Sequence, residues 1–375
     1  MDSVGVGLIG TGYMGKCHAI AYSAVATVFG LSTRPRLELL CDLGAEQAAA
    51  AAAAFGFARS TDDWHKLVSD PAVDVVSITT PNGLHPAMAI EAARNGKHVY
   101  CEKPLALTLE KAEAMAAAVR EAGVKSLVGY NYTKNPAVSH AKRLVEQGAI
   151  GRLLHFRGCF DEDYLADPAL PHSWRMQKEK AGAGALADMA SHLIHMAQHL
   201  CGPIGAVMAD LTTMHAERPI NDGSHAATGR VENDDTVSAL VRFRAGFSGS
   251  LDSSRIAWGR KSRFAWELHG SAGMIAFDQE RMNELQLYQA KGPKAEQGFK
   301  TILSGPAHPP YGNFVPAPGH SLGYNDIKTV EVAHLMRGLA GEETLYPNFT
   351  DALDTERVMH AMLRSAKEGQ WVSLD

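Results

Sequence analysis

The sequence predicts an α/β protein in two parts. Residues 1–130 read as a doubly wound parallel sheet, and residues 131–375 as an α+β part with a mostly antiparallel sheet. Three observations carry this. Short apolar strands alternate with helical stretches up to Tyr130. A glycine-rich turn, Gly10-Thr11-Gly12-Tyr13-Met14-Gly15, joins the first strand to the first helix. Beyond about Tyr132 this alternation stops, and runs with two-residue periodicity follow.

Taken in order, residues 4–9 form a strand and 14–25 a helix; 37–41 is a second strand, ending at Asp42. Residues 46–55 are rich in alanine, the best helix former. The strand before them and the Phe55-Gly56 stop after them favour a packed helix over a low-complexity tract. Residues 73–79 are a strand, and 86–95 a helix stopped by Gly96. Residues 98–101 are a strand, 109–121 a helix and 126–130 a strand. In the second part, 136–147 and 184–200 read as helices and 153–160 as a strand. Residues 236–243, 247–253, 263–269 and 273–277 alternate as antiparallel strands. Residues 325–339 and 351–366 are helices, and one C-terminal helix can pack back on the first part. Residues 291–323, rich in Pro and Gly, read as a long loop.

Bulk properties narrow the partners. A net charge of −5 gives no reason to expect nucleic acid or an acidic membrane surface. No apolar run reaches the ~20 residues of a membrane span. The first strand begins almost at Met1 with no basic segment before it, which argues against a secretory signal. Five scattered cysteines, Cys17, Cys41, Cys101, Cys159 and Cys201, read as reduced thiols in a cytoplasm.

The glycine turn sits between a strand and a helix, the context that a dinucleotide fingerprint requires. Gly10 allows the tight turn, Gly12 lets the backbone approach a pyrophosphate, and Gly15 lets helix and strand pack closely. The helix N-terminus supplies N–H groups and a partial positive charge. Asp42 is placed to bind ribose hydroxyls, and its carboxylate would repel a 2′-phosphate. Leu43 and Gly44 follow it, while Arg34 and Arg36 come before the strand, so the sequence favours NAD over NADP.

Further motifs follow in order: Thr80-Pro81-Asn82-x-x-His85, then Cys101-Glu102-Lys103-Pro104, then Asp188-x-x-x-His192, then Gly270-Ser271-x-Gly273. Together with the glycine turn they resemble the Gfo/Idh/MocA oxidoreductase family over essentially the whole chain. The resemblance implies an N-terminal Rossmann domain, a C-terminal domain with a large open sheet, and a homodimer or homotetramer. It also implies NAD-dependent oxidation of a secondary hydroxyl. The expected substrate is a cyclitol or pyranose, scyllo- or myo-inositol first and a sugar or anhydrosugar such as glucose or levoglucosan second. A non-catalytic, dinucleotide-binding sugar sensor is the alternative outside enzymology.

Chemistry supports the same residues. His192 can accept the hydroxyl proton, because an unperturbed imidazole titrates near neutral pH. Lys103 can hydrogen-bond the reacting oxygen, and its charge keeps a nearby imidazole neutral. Asp188, four residues before His192, shares its face on an α-helix. The resemblance assigns Lys103, Asp188 and His192 as catalytic. It adds Tyr13, Met14, Thr80, Pro81, Asn82, His85, Glu102 and Lys103 to Gly10, Gly12, Gly15 and Asp42 around the cofactor. Tyr130, Asn131, Tyr132, Trp174, Arg175 and His320 match segments that line the nicotinamide or the substrate. Plainer readings exist: a surface Lys103, a buried Asp188–His192 ion pair, a packing role for Trp174. Asp188, His192, His195 and His199 have helical spacing for a metal, but no His-Glu-x-x-His occurs and the family implies none. His195 and Ala183 depart from the family pattern, an acid being common at the first position and glycine at the second.

Overall fold

The structure, a computed structural model, describes residues 3–220 and 227–374. Its internal contacts separate two units, 1–134 with 322–353 and 135–321 with 354–375. The helices are α1 (Tyr13–Phe29), α2 (Ala45–Phe55), α3 (Trp64–Ser69), α4 (His85–Arg94), α5 (Leu109–Ala122) and α6 (Pro136–Glu146). Then come α7 (Lys178–Ala181), α8 (Ser191–Cys201), α9 (Tyr311–Phe314), α10 (Tyr324–Ala340) and α11 (Phe349–Glu368). Among the described residues no helix is long and apolar enough to cross a membrane.

In the first unit six strands form one sheet: β1 (Ser3–Ile9), β2 (Arg34–Cys41), β3 (Arg59–Thr61), β4 (Val75–Ile78), β5 (His98–Cys101) and β6 (Ser126–Val128). All pairings are parallel, in the order β3-β2-β1-β4-β5-β6. The strands are buried on both faces, and their side chains alternate between two cores. Val4, Val6, Leu8, Leu40, Val75, Tyr100 and Leu127 face a layer built by α1, α2 and α10. Ile9, Leu39, Cys41, Val76, Ile78, Val99, Cys101 and Val128 face α3, α4, α5 and the start of α11. Short β3 and α3 had no reading in the sequence, and Arg34 and Arg36 lie within β2 rather than before it.

The second unit holds β7 (Leu153–Glu162), β8 (Ile204–Thr212), the hairpin pair β9 (Glu217–Pro219) and β10 (Thr228–Arg230), and β11 (Thr236–Phe243). It continues with β12 (Ser248–Ser254), β13 (Lys261–Gly270), β14 (Gly273–Asp278), β15 (Glu284–Gln289), β16 (Lys300–Leu303) and β17 (Val372–Ser373). Nine of these form a sheet in the order β16-β15-β14-β13-β7-β12-β11-β8-β17. Every neighbouring pair is antiparallel except β7 with β12. Helix α8 lies so close to β7 that a Cβ on Gly158 would come within 2.6 Å of Leu193. The predicted loop 291–323 is not structureless, because it contains β16 and α9. Strand β16 is short and exposed, so it left no apolar period to read. A groove on this sheet is lined by charged Arg157, Asp252, Arg263 and Glu267 interspersed with apolar Ala265 and Ala276.

Candidate active site

The glycine turn is the part of the first unit most tightly dictated by backbone. Gly10 has φ +97°, a conformation that disfavours any side chain, and its N–H donates to Cys41 O at 2.9 Å. A Cβ at Gly15 would sit 2.1 Å from Gly10 O, so only glycine lets α1 start this close to β1. Thr79 Oγ1 clamps the turn by donating to Gly10 O at 2.9 Å. At Gly12 the space is open, with nothing within 4 Å of a Cβ. Helices α3, α5 and α6 have their first N–H groups capped by Asp63, Thr108 and Asn135. Helix α1 has no side-chain cap, so its N–H groups are presented to an anion. These features suit a dinucleotide pyrophosphate. Asp42 lies at the rim, accepting from Thr11 N at 2.9 Å, from Thr11 Oγ1 and from Leu43 N at 2.6 Å.

Tyr324 on α10 gathers residues that the sequence had assigned separately. Its ring stacks 5.9 Å from exposed Tyr13 and meets Tyr132 edge-on at 6.1 Å, while its hydroxyl donates to Met14 Sδ. Half-buried Thr80, Pro81 and Asn82 lead into α4. His85 lies beneath them, fully buried, with Nε2 at 2.9 Å from Thr80 O and Nδ1 at 3.0 Å from Pro104 O. Burial pushes its pKa down. Its ring nitrogens thus tie the Thr80 loop to the turn after Lys103, so the expected cofactor contact becomes a bracing position.

Glu102 is likewise turned inward. Its carboxylate accepts from Lys328 Nζ at 2.8 Å and faces His18 Nε2 at 2.9 Å. Lys328 also donates to Glu331 Oε2 at 2.7 Å and to Tyr100 Oη at 3.2 Å, and the Tyr100 hydroxyl donates to Glu331. All five side chains are buried. Gly129 makes room, since a Cβ there would come within 2.6 Å of the Glu102 carboxylate. Burial works to raise Glu102, but the Lys328 ammonium and His18 hold it well below the usual carboxylate range. Burial raises Glu331 despite the same lysine, and drives His18 down to about 4. The Glu102 side chain was expected at the cofactor; the lysine 226 residues downstream claims it instead. Lys103, the next residue, is half-buried, and Asn131 and Tyr132 are buried.

In the second unit the predicted helix 184–200 is two elements. Leu186–Ala190 is a π-helical turn and α8 follows it. The turn is marked by Ser191 N–H donating to Leu186 O, one residue further than in an α-helix. Asp188 sits in this turn and His192 in α8, so the stretch between them passes from π-helical to α-helical pitch. Asp234 pins the start: its Oδ1 accepts from Gly184 N and its Oδ2 from Leu186 N, both at 2.7 Å. Asp235 accepts from Arg255 Nε at 2.8 Å beside it, and Arg255 also reaches Asn233 Oδ1 at 2.9 Å. Asp188 Oδ2 accepts from the Tyr164 hydroxyl at 2.8 Å. His192 is buried with its ring 6.1 Å from that of Phe160. His195 is buried too, its ring 6.4 Å from that of His199. Among the described residues no His, Cys, Asp or Glu side chains gather as a metal centre. Arg175 is exposed with its guanidinium 4.6 Å above the Trp174 ring. His320 is exposed, and its carbonyl accepts from the Tyr311 hydroxyl. Sequence reasoning missed Tyr164, Tyr324, Asp234 and Lys328. Only the Asn233-Asp234-Asp235 run, three polar residues before a strand, signalled itself.

Known proteins with these features are similar along the whole chain. Residues 4–130 match the oxidoreductase family with an NAD-binding Rossmann fold, and residues 138–276 match the GFO/IDH/MocA C-terminal domain. Levoglucosan dehydrogenase of Pseudarthrobacter phenanthrenivorans is 41% identical over 100% of this chain and 99% of its own. A solved levoglucosan dehydrogenase in complex with NADH and L-sorbose superposes with a TM-score of 0.97 at 41% identity, covering 100% of both chains. The scyllo-inositol 2-dehydrogenase (NAD(+)) of Bacillus subtilis is 30% identical over 76% of this chain and 77% of its own. The chain therefore belongs to the Gfo/Idh/MocA family of oxidoreductases and carries its NAD-binding Rossmann fold.

Proposed function

We propose that this protein oxidises one secondary hydroxyl of an anhydrosugar or pyranose to a ketone, using NAD⁺. One observation carries the reading: 41% identity to levoglucosan dehydrogenase over the full length of both chains. The inositol dehydrogenase similarity is lower and covers 76% of this chain, so within the class the sequence suggested, the anhydrosugar takes precedence over the cyclitol.

In this reading residues 1–130, completed by 322–353, form the cofactor domain, and the rest of 131–375 the substrate and assembly domain. The uncapped start of α1, with Gly10, Gly12, Tyr13, Met14 and Gly15, holds the pyrophosphate, and Asp42 the ribose. Thr80, Pro81, Asn82 and the Glu102-Lys103 backbone border the rest of the cofactor. NAD⁺, when bound, takes up the hydride. Lys103 donates to the reacting oxygen and stabilises its developing charge. His192 accepts its proton, and Asp188 accepts a hydrogen bond from a second hydroxyl or from the imidazolium. Asn131, Tyr132, Trp174, Arg175 and His320 contact the sugar. We assign no metal. The open sheet face, where acids and bases are interspersed with apolar side chains, suits a homodimer or homotetramer, and five free cysteines suit the cytoplasm.

The test is NADH formation from levoglucosan, myo-inositol, scyllo-inositol, glucose and xylose, with NADP⁺ in parallel. Preferential turnover of levoglucosan with NAD⁺ is expected, and turnover of inositols alone would transfer the assignment to the cyclitol branch. A protein that binds NADH tightly yet is silent on every polyol is a sensor, and the enzyme reading fails. Lys103→Ala with normal turnover would remove Lys103 from the mechanism. An unchanged KM in His320→Ala would remove His320 from the pocket.

A further inference from the structure

The Asp188 carboxylate is held through its backbone and through its side chain. Its backbone is in the π turn, whose first N–H groups end on Asp234. Its Oδ2 accepts from the Tyr164 hydroxyl at 2.8 Å. That hydroxyl is itself fixed. The Tyr164 ring packs with Leu170 and Ile256 against a small core of Leu165, Met176 and Val231. The main chain around it is tied down by Asp163 N to Arg260 O at 3.1 Å and Leu165 N to Arg255 O at 3.0 Å. Two rigid elements far apart in sequence thus converge on one carboxylate oxygen.

From this convergence we propose that Tyr164 is a positioning residue for the dehydrogenation, one that fixes the Asp188 carboxylate in a single orientation and holds it ionised. The inference rests on the dehydrogenase reading given above. A phenol donating to a carboxylate stabilises the charged form and lowers its basicity. The Tyr164 phenol stays a donor across the working range, because burial and the Asp188 charge push its own pKa well up. The charges that face the Tyr164 hydroxyl are the guanidiniums of Arg255, Arg175 and Arg218. Arg255 is held by Asp235, and Arg218 is bound to the carbonyls of Leu165 and Asp167, so neither replaces the phenol as the donor.

The test is Tyr164→Phe in the full-length protein, which removes one oxygen and keeps the packed ring. Without the donor, Asp188 becomes more basic, and the imidazolium of His192 is better stabilised by a more localised charge. Both effects move the acidic limb of the kcat/KM profile to higher pH. We expect kcat/KM for levoglucosan to fall by roughly tenfold to a hundredfold, mainly through kcat. We expect NADH affinity to stay within about twofold of wild type, as for a change outside the cofactor site. In protein labelled with 13C at aspartate Cγ, the Asp188 resonance, assigned through Asp188→Asn, is expected to titrate at higher pH in the variant. Loss of rate with an unmoved limb and an unmoved resonance would mean a merely structural tyrosine and overturn the inference. So would kcat/KM within about twofold of wild type. A wild-type protein silent on every sugar sinks the dehydrogenase reading and this inference with it. An active wild type with an indifferent variant sinks this inference alone.

Discussion

In the first unit the buried charges answer one another; in the second, buried charge is answered largely by the backbone. Lys328 stands between Glu102 and Glu331, so that cluster holds one ammonium and two carboxyls with His18 and Tyr100 around them. Burial works to raise both carboxyls, but Lys328 and His18 pull Glu102 down while Glu331 stays up. In the second unit Asp234 meets two backbone N–H groups, and Arg255 pairs with Asp235 and Asn233. The lesson concerns what each cluster fixes. The first locks the segment just before Lys103 to α10 through side chains that can gain or lose protons. The second fixes the π turn bearing Asp188 through backbone N–H groups that end on the Asp234 carboxylate, which burial raises and those N–H groups pull back down.

The sharpest way to break this comparison is Lys328→Met. It leaves two carboxylates buried without their cation and should cost about 3–5 kcal/mol of unfolding free energy, measured by urea denaturation at neutral pH. If the charges answer one another, the triple variant Lys328→Met, Glu102→Gln, Glu331→Gln recovers most of that loss, since no charge is left to desolvate. Equal instability of the single and triple variants would mean that packing by the lysine stem, not charge, holds the cluster.

A pH experiment separates the units next. His18 is pushed down to about 4 by burial, against an unfolded value of 6.5. Between those values the unfolded chain binds a proton that the folded chain does not. The contribution of His18 is therefore full above pH 6.5 and is lost as pH drops toward 4, by about 3 kcal/mol over the window. Glu102, held low, adds an acid loss that begins only below its unfolded value of 4.5, so the two windows are distinct. His18→Gln keeps an N–H for Glu102 and cannot titrate. Urea midpoints at several pH values should show the slope above pH 4.5 flattened in this variant. An unchanged slope would assign the acid sensitivity to other groups.

What the sequence made legible was local. Gly10 and Gly15 are demanded by a turn and a close approach that involve near neighbours, and they read correctly from spacing alone. The central strands of the first unit, β1, β4 and β5, were legible because burial on both faces makes them mostly apolar, whereas exposed, polar β3 was not. What stayed hidden was partner choice over distance. Lys328 and Glu331 at i, i+3 look like a solvent-exposed helix pair, yet α10 is covered on that side and both are fully buried. Tyr164 lies 24 residues from Asp188, with no pattern linking them. The π turn adds a residue without disturbing the apolar content of 186–200, so helix was legible there and its pitch was not.

The smallest effect probes the backbone-satisfied side. Asp234→Ala removes the acceptor for Gly184 N and Leu186 N, which are buried with it. Two unmet donors, partly reachable by water once the side chain is gone, should cost about 2 kcal/mol. Asp234→Asn keeps one carbonyl oxygen and should cost about half as much. Because Ala185 N also donates to the Asp234 carbonyl, which neither change removes, the turn stays attached and the loss is local. Hydrogen exchange reads this directly: the Gly184 and Leu186 amides should exchange faster in Asp234→Ala, with the amides of α8 unaffected. Faster exchange through α8 would show that the carboxylate organises the whole helix rather than its first turn. Unchanged exchange at both amides would mean that this carboxylate is not what holds the turn carrying Asp188.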